Sequence, residues 1–537
     1  MTMSEWDESW DVVVVGGGAA GLSAALMLGR ARRRVLVVDA GEPRNRYAAH
    51  VHGVLGHDGL EPAALVARGR EELAAYDVEV RAGRVEAVED LAADSAALLV
   101  RLDSGAALRT RALVVATGIT DVLPEVPGLA ERWGSSVLHC PYCHGWEVRG
   151  RRIGILATGP WGLHQAQLLR QWSDDVVLLS AAMEPLEEAV VQRLASRGVR
   201  VVPDEVVEVL GDGAALTGVR TTADEVVEVD ALFTFGHPAP HDGFLDGLAL
   251  GREEGQFGSF LTVDPTGRTS HERVWAVGNV VEPMAAVPMV ISAGAKAGAF
   301  VNAVLVEEDF DAAQVAAHQV AEHWEGFYAD TPRKWSGRVN ATTADVVATL
   351  PVGDVLDLGC GEGGDAVWLA EQGWRVTAVD ISDTATARGA EGAAARGVAD
   401  RVEWHAHDLA TWRTEETFDL VTASFLHSEV ALPRTEVLRR AASRLRPGGH
   451  LLLVSHVFES EADLPPWAPR KEDGHDHGAH SSPMPELLTP VEEVAELALD
   501  PDAWSVVLCE IREREATGPD GRQTATMKDG VVLLQRR

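Results

Sequence analysis

Three stretches of the chain share one pattern: an apolar run, a glycine-rich turn, a helical stretch and a second apolar run. They are "DVVVVGGGAAGLSAALMLGRARRRVLVVDA" (11–40), "RRIGILATGPWGLHQAQLLRQWSDDVVLLS" (151–180) and "DVLDLGCGEGGDAVWLAEQGWRVTAVDIS" (354–382). Short runs that are apolar throughout read as strands buried on both faces, so each stretch predicts strand, turn, helix, strand. Further strand-like runs are "ALVVATGIT" (112–120), "ALFTFGHPAP" (231–240), "VEWHAHDLATW" (402–412), "FDLVTASFLHSE" (418–429) and "LRPGGHLLLVSH" (445–456). Residues 272–305 read as a strand, a Gly278-Asn279 turn and a long helix of small residues. Polar, Ala/Gln/His-rich residues follow to 325 and suit a connecting helix. Strands alternating with helices predict an α/β protein built on parallel sheets.

A chain of 537 residues exceeds what one core accommodates and should divide into about three domains. The boundaries expected are 1–119 with 240–306, an inserted 120–239, a linker over 307–325, and 326–537. A net charge of −35 excludes a basic nucleic-acid surface. The acidic N-terminus lacks the order of a signal peptide, and no run approaches the ~20 apolar residues of a membrane span. Four cysteines are too few for a disulfide scaffold, which points to a reducing cytoplasm.

Gly16, Gly18 and Gly21 form G-x-G-x-x-G between a strand and a helix, and Asp39 closes the second strand. Gly16 permits the turn, Gly18 admits a pyrophosphate to the backbone, and Gly21 lets helix and strand approach. Asp39 stands where a ribose diol needs an acceptor, so this stretch predicts dinucleotide binding. In the second stretch Ala157 replaces the first glycine, Trp161 crowds the turn, and "LLSAAMEPLEE" offers no ribose acid and no Arg for a 2′-phosphate. Between them, "HCPYCHGWEV" (139–148) carries Cys140, Cys143 and His144. A zinc site needs a second ligand pair, which the sequence lacks, so no metal is expected. A dithiol that exchanges electrons needs one thiolate, and an adjacent histidine suits proton transfer near neutral pH.

On "GGGAAG" (16–21), "ATG" (116–118), "CPYC" (140–143), "FGHPAP" (235–240) and "VGN" (277–279), residues 11 to about 305 resemble the low-molecular-weight thioredoxin reductase family. The resemblance implies two Rossmann-like domains: an FAD domain (1–119 and 240–306) interrupted by an NAD(P)H-type domain (120–239) that carries the CxxC. It implies that Gly16, Gly18, Ala19, Gly21, Asp39, Thr117, Gly118, Gly278 and Asn279 hold FAD. It further implies that Cys143 faces the flavin, that Cys140 exchanges with substrate, and that the flavoprotein part forms a homodimer. His144 stands where the reductases have Asp, Asn279 replaces an Asp, and the pyridine-nucleotide turn is eroded, leaving NAD(P)H in doubt. In these respects the stretch looks like the dithiol oxidases of holomycin and gliotoxin biosynthesis, which pass electrons from a small dithiol through FAD to oxygen.

On "WSGRVN" (335–340), "DLGCGEGGDAVWLA" (357–370), "VDIS" (379–382) and "HDL" (407–409), residues 325–537 resemble class I S-adenosylmethionine-dependent methyltransferases. The similarity is to the tellurite-resistance and thiopurine-methyltransferase-like group. It implies a third Rossmann-like domain in which Asp357, Gly359, Gly361 and Gly363 hold the methionine part, Asp380 the ribose and Asp408 the adenine. Trp335, Arg338 and His427 are candidates for the acceptor side. His475, His477 and His480 suit a solvated loop, and Cys360 and Cys509 suit packing. The expected function is a dithiol oxidase fused to a methyltransferase acting on thiols, with small-molecule substrates and no nucleic-acid or membrane partner. Two other readings share these residues: an NAD(P)H-dependent reductase, and a flavin redox sensor that gates the methyltransferase.

Overall fold

The valines of strand Ser9–Val15 explain the first sheet. Val12 and Val14 pack with Ala24, Leu28, Ala297 and Val301 of two helices on one face. Val13 and Val15 pack with Leu245, Leu261 and Val280 on the other. Burial on both sides is why the run has no polar alternation. The computed structural model describes residues 8–91, 97–458, 465–466, 487–517 and 523–537. His475, His477 and His480 lie outside the described residues.

Two compact units are present, Met1–Asp309 and Phe310–Arg537. In the first, strands Glu79–Ala82, Val35–Asp39, Ser9–Val15, Ala107–Val115 and Val274–Ala276 are parallel, and Ala97–Leu102 and Val85–Leu91 extend the sheet antiparallel. An inserted body has five parallel strands in the order Val199–Val202, Val176–Leu179, Ile153–Leu156, Ala231–Thr234, Val137–Leu138. The chain leaves for it and returns through one antiparallel ribbon, Ile119–Val122 with His237–Pro240.

The second unit has the strand order Val402–Ala406, Arg375–Asp380, Asp354–Leu358, Phe418–Ser424, Leu445–His456, Thr524–Arg536, Trp504–Thr517. The first five are parallel, and Thr524–Arg536 runs antiparallel to both neighbours. The order reverses between Asp354–Leu358 and Phe418–Ser424. Such a switch point opens a crevice at the carboxyl ends of the strands, where ligands of open α/β sheets bind.

Helix Val287–Ala329 corrects two expectations. Residues 307–325 are helical, as expected of a connecting helix, but continuous with the small-residue helix before them in one helix of 43 residues, and the two units divide within them at Asp309/Phe310. The helix is also long and apolar enough to cross a membrane by composition, with a mean hydropathy of 1.7 over 18 residues, which the reading of apolar runs missed. Its apolar character has a local use in the first unit. A Cβ at Gly294 would lie 2.0 Å from the Ala20 carbonyl oxygen, and one at Gly298 would lie 2.6 Å from that of Ala24. The helix therefore meets helix Ala19–Arg30 backbone to backbone.

That contact has no room for a side chain. Gly294→Val should lower the stability of the first unit by about 2 kcal/mol or more, the usual cost of overpacking. Denaturant unfolding of the variant against the unsubstituted chain measures it, and an unchanged midpoint would contradict the close approach.

Candidate functional site

The glycine turn after strand Ser9–Val15 is forced by its surroundings. Gly16 has φ +108°, and a Cβ there would meet the Ala116 carbonyl oxygen at 2.4 Å. A Cβ at Gly21 would stand 1.9 Å from the Gly16 carbonyl oxygen, so Gly21 serves helix packing. A Cβ at Gly18 would meet nothing within 4 Å. That open place is on the wall of a cavity of about 1390 Å³ lined by Gly16, Gly18, Ala19, Asp39, Thr117, Gly118, Cys140, Cys143, His144, Gly278 and Asn279. One cavity thus collects every expected site residue of the first unit except Gly21.

The cavity's polar groups fit a dinucleotide. Asp39 accepts a hydrogen bond from the Gly17 amide at 2.9 Å and pairs with Arg70, a partner the sequence reading did not foresee. The Thr117 hydroxyl oxygen is buried without a protein partner, and a buried hydroxyl left so is costly unless a ligand satisfies it. Asn279 donates its amide hydrogens to the carbonyls of Glu282 at 3.0 Å and Ala285 at 2.9 Å. An Asp here could not donate, so Asn ties down its own loop while its side-chain oxygen remains an acceptor.

The two cysteines are free thiols with opposite electrostatics. Cys140 caps the short helix Pro141–His144. A hydrogen bond from the Cys143 thiol, helped by the amides of Cys143 and Tyr142 and the charge of Arg44, lowers its pKa to about 7 against burial. Donating to Cys140, together with burial, pushes the Cys143 thiol up. Burial lowers the His144 pKa, which keeps its imidazole neutral and able to accept a proton. Arg44 was not singled out from the sequence, where it is one arginine in a polar loop. It forms a two-point pair with Asp121 at 2.8 and 2.7 Å and donates to the Pro283 carbonyl at 2.6 Å. Only the fold brings it near the dithiol.

The inserted body keeps the strand–turn–helix, and a Cβ at Gly159, the counterpart of Gly18, would likewise meet nothing within 4 Å. A Cβ at Gly162 would be 2.4 Å from that of Ala157. Trp161, the first residue of helix Trp161–Leu169, stacks on Phe257 with ring centres 5.9 Å apart.

In the second unit Gly359, Gly361 and Gly363 all have positive φ. Asp380 accepts from the amides of Gly361 at 2.9 Å and Ser382 at 3.0 Å. Asp357 is buried with one carboxylate oxygen unpartnered, and burial raises its pKa. An unpaired buried acid beside a glycine turn fits a cationic ligand group. Asp408 accepts from the Ala410 amide at 2.8 Å and shapes the turn after strand Val402–Ala406. Glu362, also not singled out, is buried and accepts from the Trp335 amide at 2.8 Å and from Arg388 at 2.8 Å. It holds Trp335 over the glycine turn, where Tyr328 also lies: a Cβ at Gly361 would be 3.0 Å from the tyrosine oxygen. Burial pushes the Cys360 thiol up, consistent with a packing role.

Residues 10–299 match the family described as pyridine nucleotide-disulphide oxidoreductase. The chain belongs to this family. The oxidoreductase is 32% identical to thioredoxin reductase tcpT of Claviceps purpurea, over 56% of this chain and 95% of that protein. It is 29% identical to thioredoxin reductase sirT of Leptosphaeria maculans, over 55% of this chain and 93% of the relative. Among solved structures, HlmI is similar at 45% identity and a TM-score of 0.55, covering 58% of this chain and 97% of HlmI. Residues 355–449 match a methyltransferase domain. The chain therefore joins a thioredoxin-reductase-like flavoprotein to a methyltransferase.

The asymmetry of the dithiol should be visible in its reactivity. A lowered pKa leaves Cys140 largely thiolate above about 7 and protonated below it. Alkylation of the reduced protein by iodoacetamide should therefore rise with pH through that value, and Cys140→Ser should remove this phase. A phase retained in Cys140→Ser and lost in Cys143→Ser would reverse the assignment.

Proposed function

We propose that the first unit is an FAD-dependent dithiol oxidase and the second an S-adenosylmethionine-dependent methyltransferase acting on thiols. What supports the first part is one cavity holding the open glycine turn, an acidified Cys140 and a neutral His144, together with a second turn in which Ala157 takes the place of the first glycine and no ribose acid or phosphate-binding Arg follows. Gly16, Gly18, Ala19, Asp39, Thr117, Gly118, Gly278 and Asn279 would hold FAD. Bound there, FAD supplies a two-electron acceptor that oxygen reoxidises. The residues of the chain do the thiol chemistry. His144 takes the proton of a substrate thiol, whose sulfur attacks Cys140 of the oxidised pair and releases Cys143. The second substrate thiol, on losing its proton, displaces Cys140. The substrate leaves as a disulfide, and the pair is left reduced with Cys140 as the better thiolate. Cys143 is then the sulfur that passes electrons onward.

In the second unit Asp357 and Gly359, Gly361 and Gly363 would hold the methionine part of the cofactor, Asp380 the ribose and Asp408 the adenine. S-adenosylmethionine supplies an electrophilic methyl group. Closing a dithiol and methylating its sulfurs both remove reactive thiols, which gives the fusion a common substrate class.

The names of tcpT and sirT favour a second reading, an NAD(P)H-dependent disulfide reductase. The two differ in where electrons enter. A 2′-phosphate needs a cation, and Glu184, Glu187 and Glu188 follow the second strand instead. Under anaerobic stopped flow, neither NADPH nor NADH should bleach the flavin at a useful rate, whereas dithiothreitol should. In air, dithiol turnover should yield one hydrogen peroxide per disulfide. Rapid bleaching by either nucleotide without peroxide from dithiols makes the protein a reductase.

The methyltransferase assignment is tested separately. Asp380→Asn and Gly361→Val should each abolish S-adenosylmethionine binding by calorimetry while flavin reduction by dithiols is retained. Gly361 has φ +52° and Tyr328 against it, so a Val is disfavoured by both backbone and space. Tight binding by both variants would refute the site.

A further inference from the structure

The switch point of the second unit carries a group of side chains that the cofactor contacts above do not use. Strand Phe418–Ser424 ends in Phe425, a bulky residue at φ +55°. Such a conformation is strained for any side chain with a Cβ and persists only where the surroundings impose it. The surroundings here are specific. The Phe425 amide donates to the Val454 carbonyl at 2.7 Å, and the His427 amide donates back to the Phe425 carbonyl at 2.8 Å. Leu426 is pressed against the glycine turn, its Cδ1 2.6 Å from where a Cβ on Gly359 would lie. The tight loop 425–427 is thus in contact with the turn assigned to the cofactor.

The ring of Phe425 lies 4.3 Å from that of His456 at the end of the next strand, and that of Phe458 stacks on His456 at 5.7 Å. The His456 Nδ1 lies 3.8 Å from Oδ1 of the fully buried Asp529 carboxylate, beyond hydrogen-bonding distance, and both atoms are buried without a hydrogen-bond partner. The Arg514 Nε donates to Asp529 at 2.7 Å, and the Thr342 hydroxyl donates to it at 2.9 Å. The His456 side chain is nevertheless 31% exposed.

We propose that His456, which lies beside the buried Asp529 and in ring contact with Phe425 and Phe458, is the general base of the methyl transfer and that its acceptor is an apolar alkyl thiol. This deepens the thiol-methylation reading and rests on it. A partly exposed, neutral histidine at the switch point can take a proton from a bound acceptor. Burial lowers the pKa of His456, and burial together with Arg434 lowers that of His427 to about 4, so both rings are neutral at pH 7. The charged groups facing them are Asp529 and Arg514 at His456 and Arg434 at His427. The two phenyl rings suit an apolar acceptor body, and a neutral alkyl thiol must lose its proton before its sulfur attacks. In the step, the acceptor S–H bond breaks and its proton passes to the His456 imidazole. The freed electron pair forms the S–CH3 bond as the methyl–sulfonium bond breaks, its pair remaining on the departing sulfur. The products are a methyl thioether, S-adenosylhomocysteine and one proton released to solvent.

The test uses the full chain with two acceptors, benzyl mercaptan and 4-nitrothiophenol, the second being ionised already at neutral pH. His456→Asn should slow methylation of benzyl mercaptan about 100-fold or more but leave 4-nitrothiophenol within about threefold, because only the first needs a base. His456→Gln should behave alike. Calorimetry with S-adenosylhomocysteine should give unchanged binding in both variants, which shows that the fold and cofactor site are intact. Equal losses for the two thiols, or no loss for benzyl mercaptan, would overturn the base assignment. Methylation of neither thiol by the unsubstituted chain would overturn the acceptor class. Failure of that chain to bind S-adenosylmethionine at all would instead refute the methyltransferase reading beneath it.

Discussion

Everything in the first unit depends on one close approach of backbone to backbone. Gly16 turns at positive φ against Ala116, and Gly21 comes within a side chain's width of the Gly16 carbonyl. This contact fixes the start of helix Ala19–Arg30 beside the end of strand Ala107–Val115. It leaves the backbone at Gly18 bare, facing the cavity that also receives Thr117 and the dithiol. The same helix then accepts Gly294 and Gly298 of the long helix against its other side. A pair of glycine contacts on two faces of one helix thereby aligns the cofactor turn with Gly278 and Asn279, although the chain detours through the inserted body between them.

The dithiol shows how a symmetric motif becomes asymmetric. Cys140 receives hydrogen bonds at a helix start, whereas Cys143 gives one, and the two are partly buried to the same extent. A thiolate is stabilised by donors, so with equal burial the direction of their shared hydrogen bond separates the two sulfurs in acidity without a metal. His144 and His139 are both kept neutral by burial, and Arg44 adds positive charge that disfavours their protonation only at His139. The cavity therefore holds one acidified sulfur and one proton acceptor side by side, an arrangement suited to moving protons off thiols.

The second unit uses the same physical device with different partners. Its glycine turn is covered by a segment that Glu362 and Arg388 pin through the Trp335 amide and the Tyr328 carbonyl. Buried Asp357 lacks a partner for one oxygen, and buried Asp380 has its donors from the turn itself. Asp357 thus keeps one oxygen without a protein partner, and Asp380 also braces the glycine turn.

The apolar runs and glycine spacings determined the strand–helix–strand stretches, the two cofactor turns and the CxxC, because a strand buried on both faces and a turn without side chains leave local marks in sequence. Ala157 and Trp161 are equally local marks in the second turn, although its Gly159 stays open in the fold. Tertiary structure decided what depends on distance in space. Arg70 against Asp39, Arg44 beside the cysteines, Glu362 beneath Trp335 and Asp529 behind His456 join residues far apart in the chain, and each is an ordinary charged residue in its local context. The long helix misled the reading for a related reason. Its small apolar residues carry no mark of whether they meet lipid, water or another backbone, and only the fold shows Gly294 against Ala20. Spacing along a chain encodes local geometry, whereas the pairing of charges across a cavity is set by packing that no single segment contains.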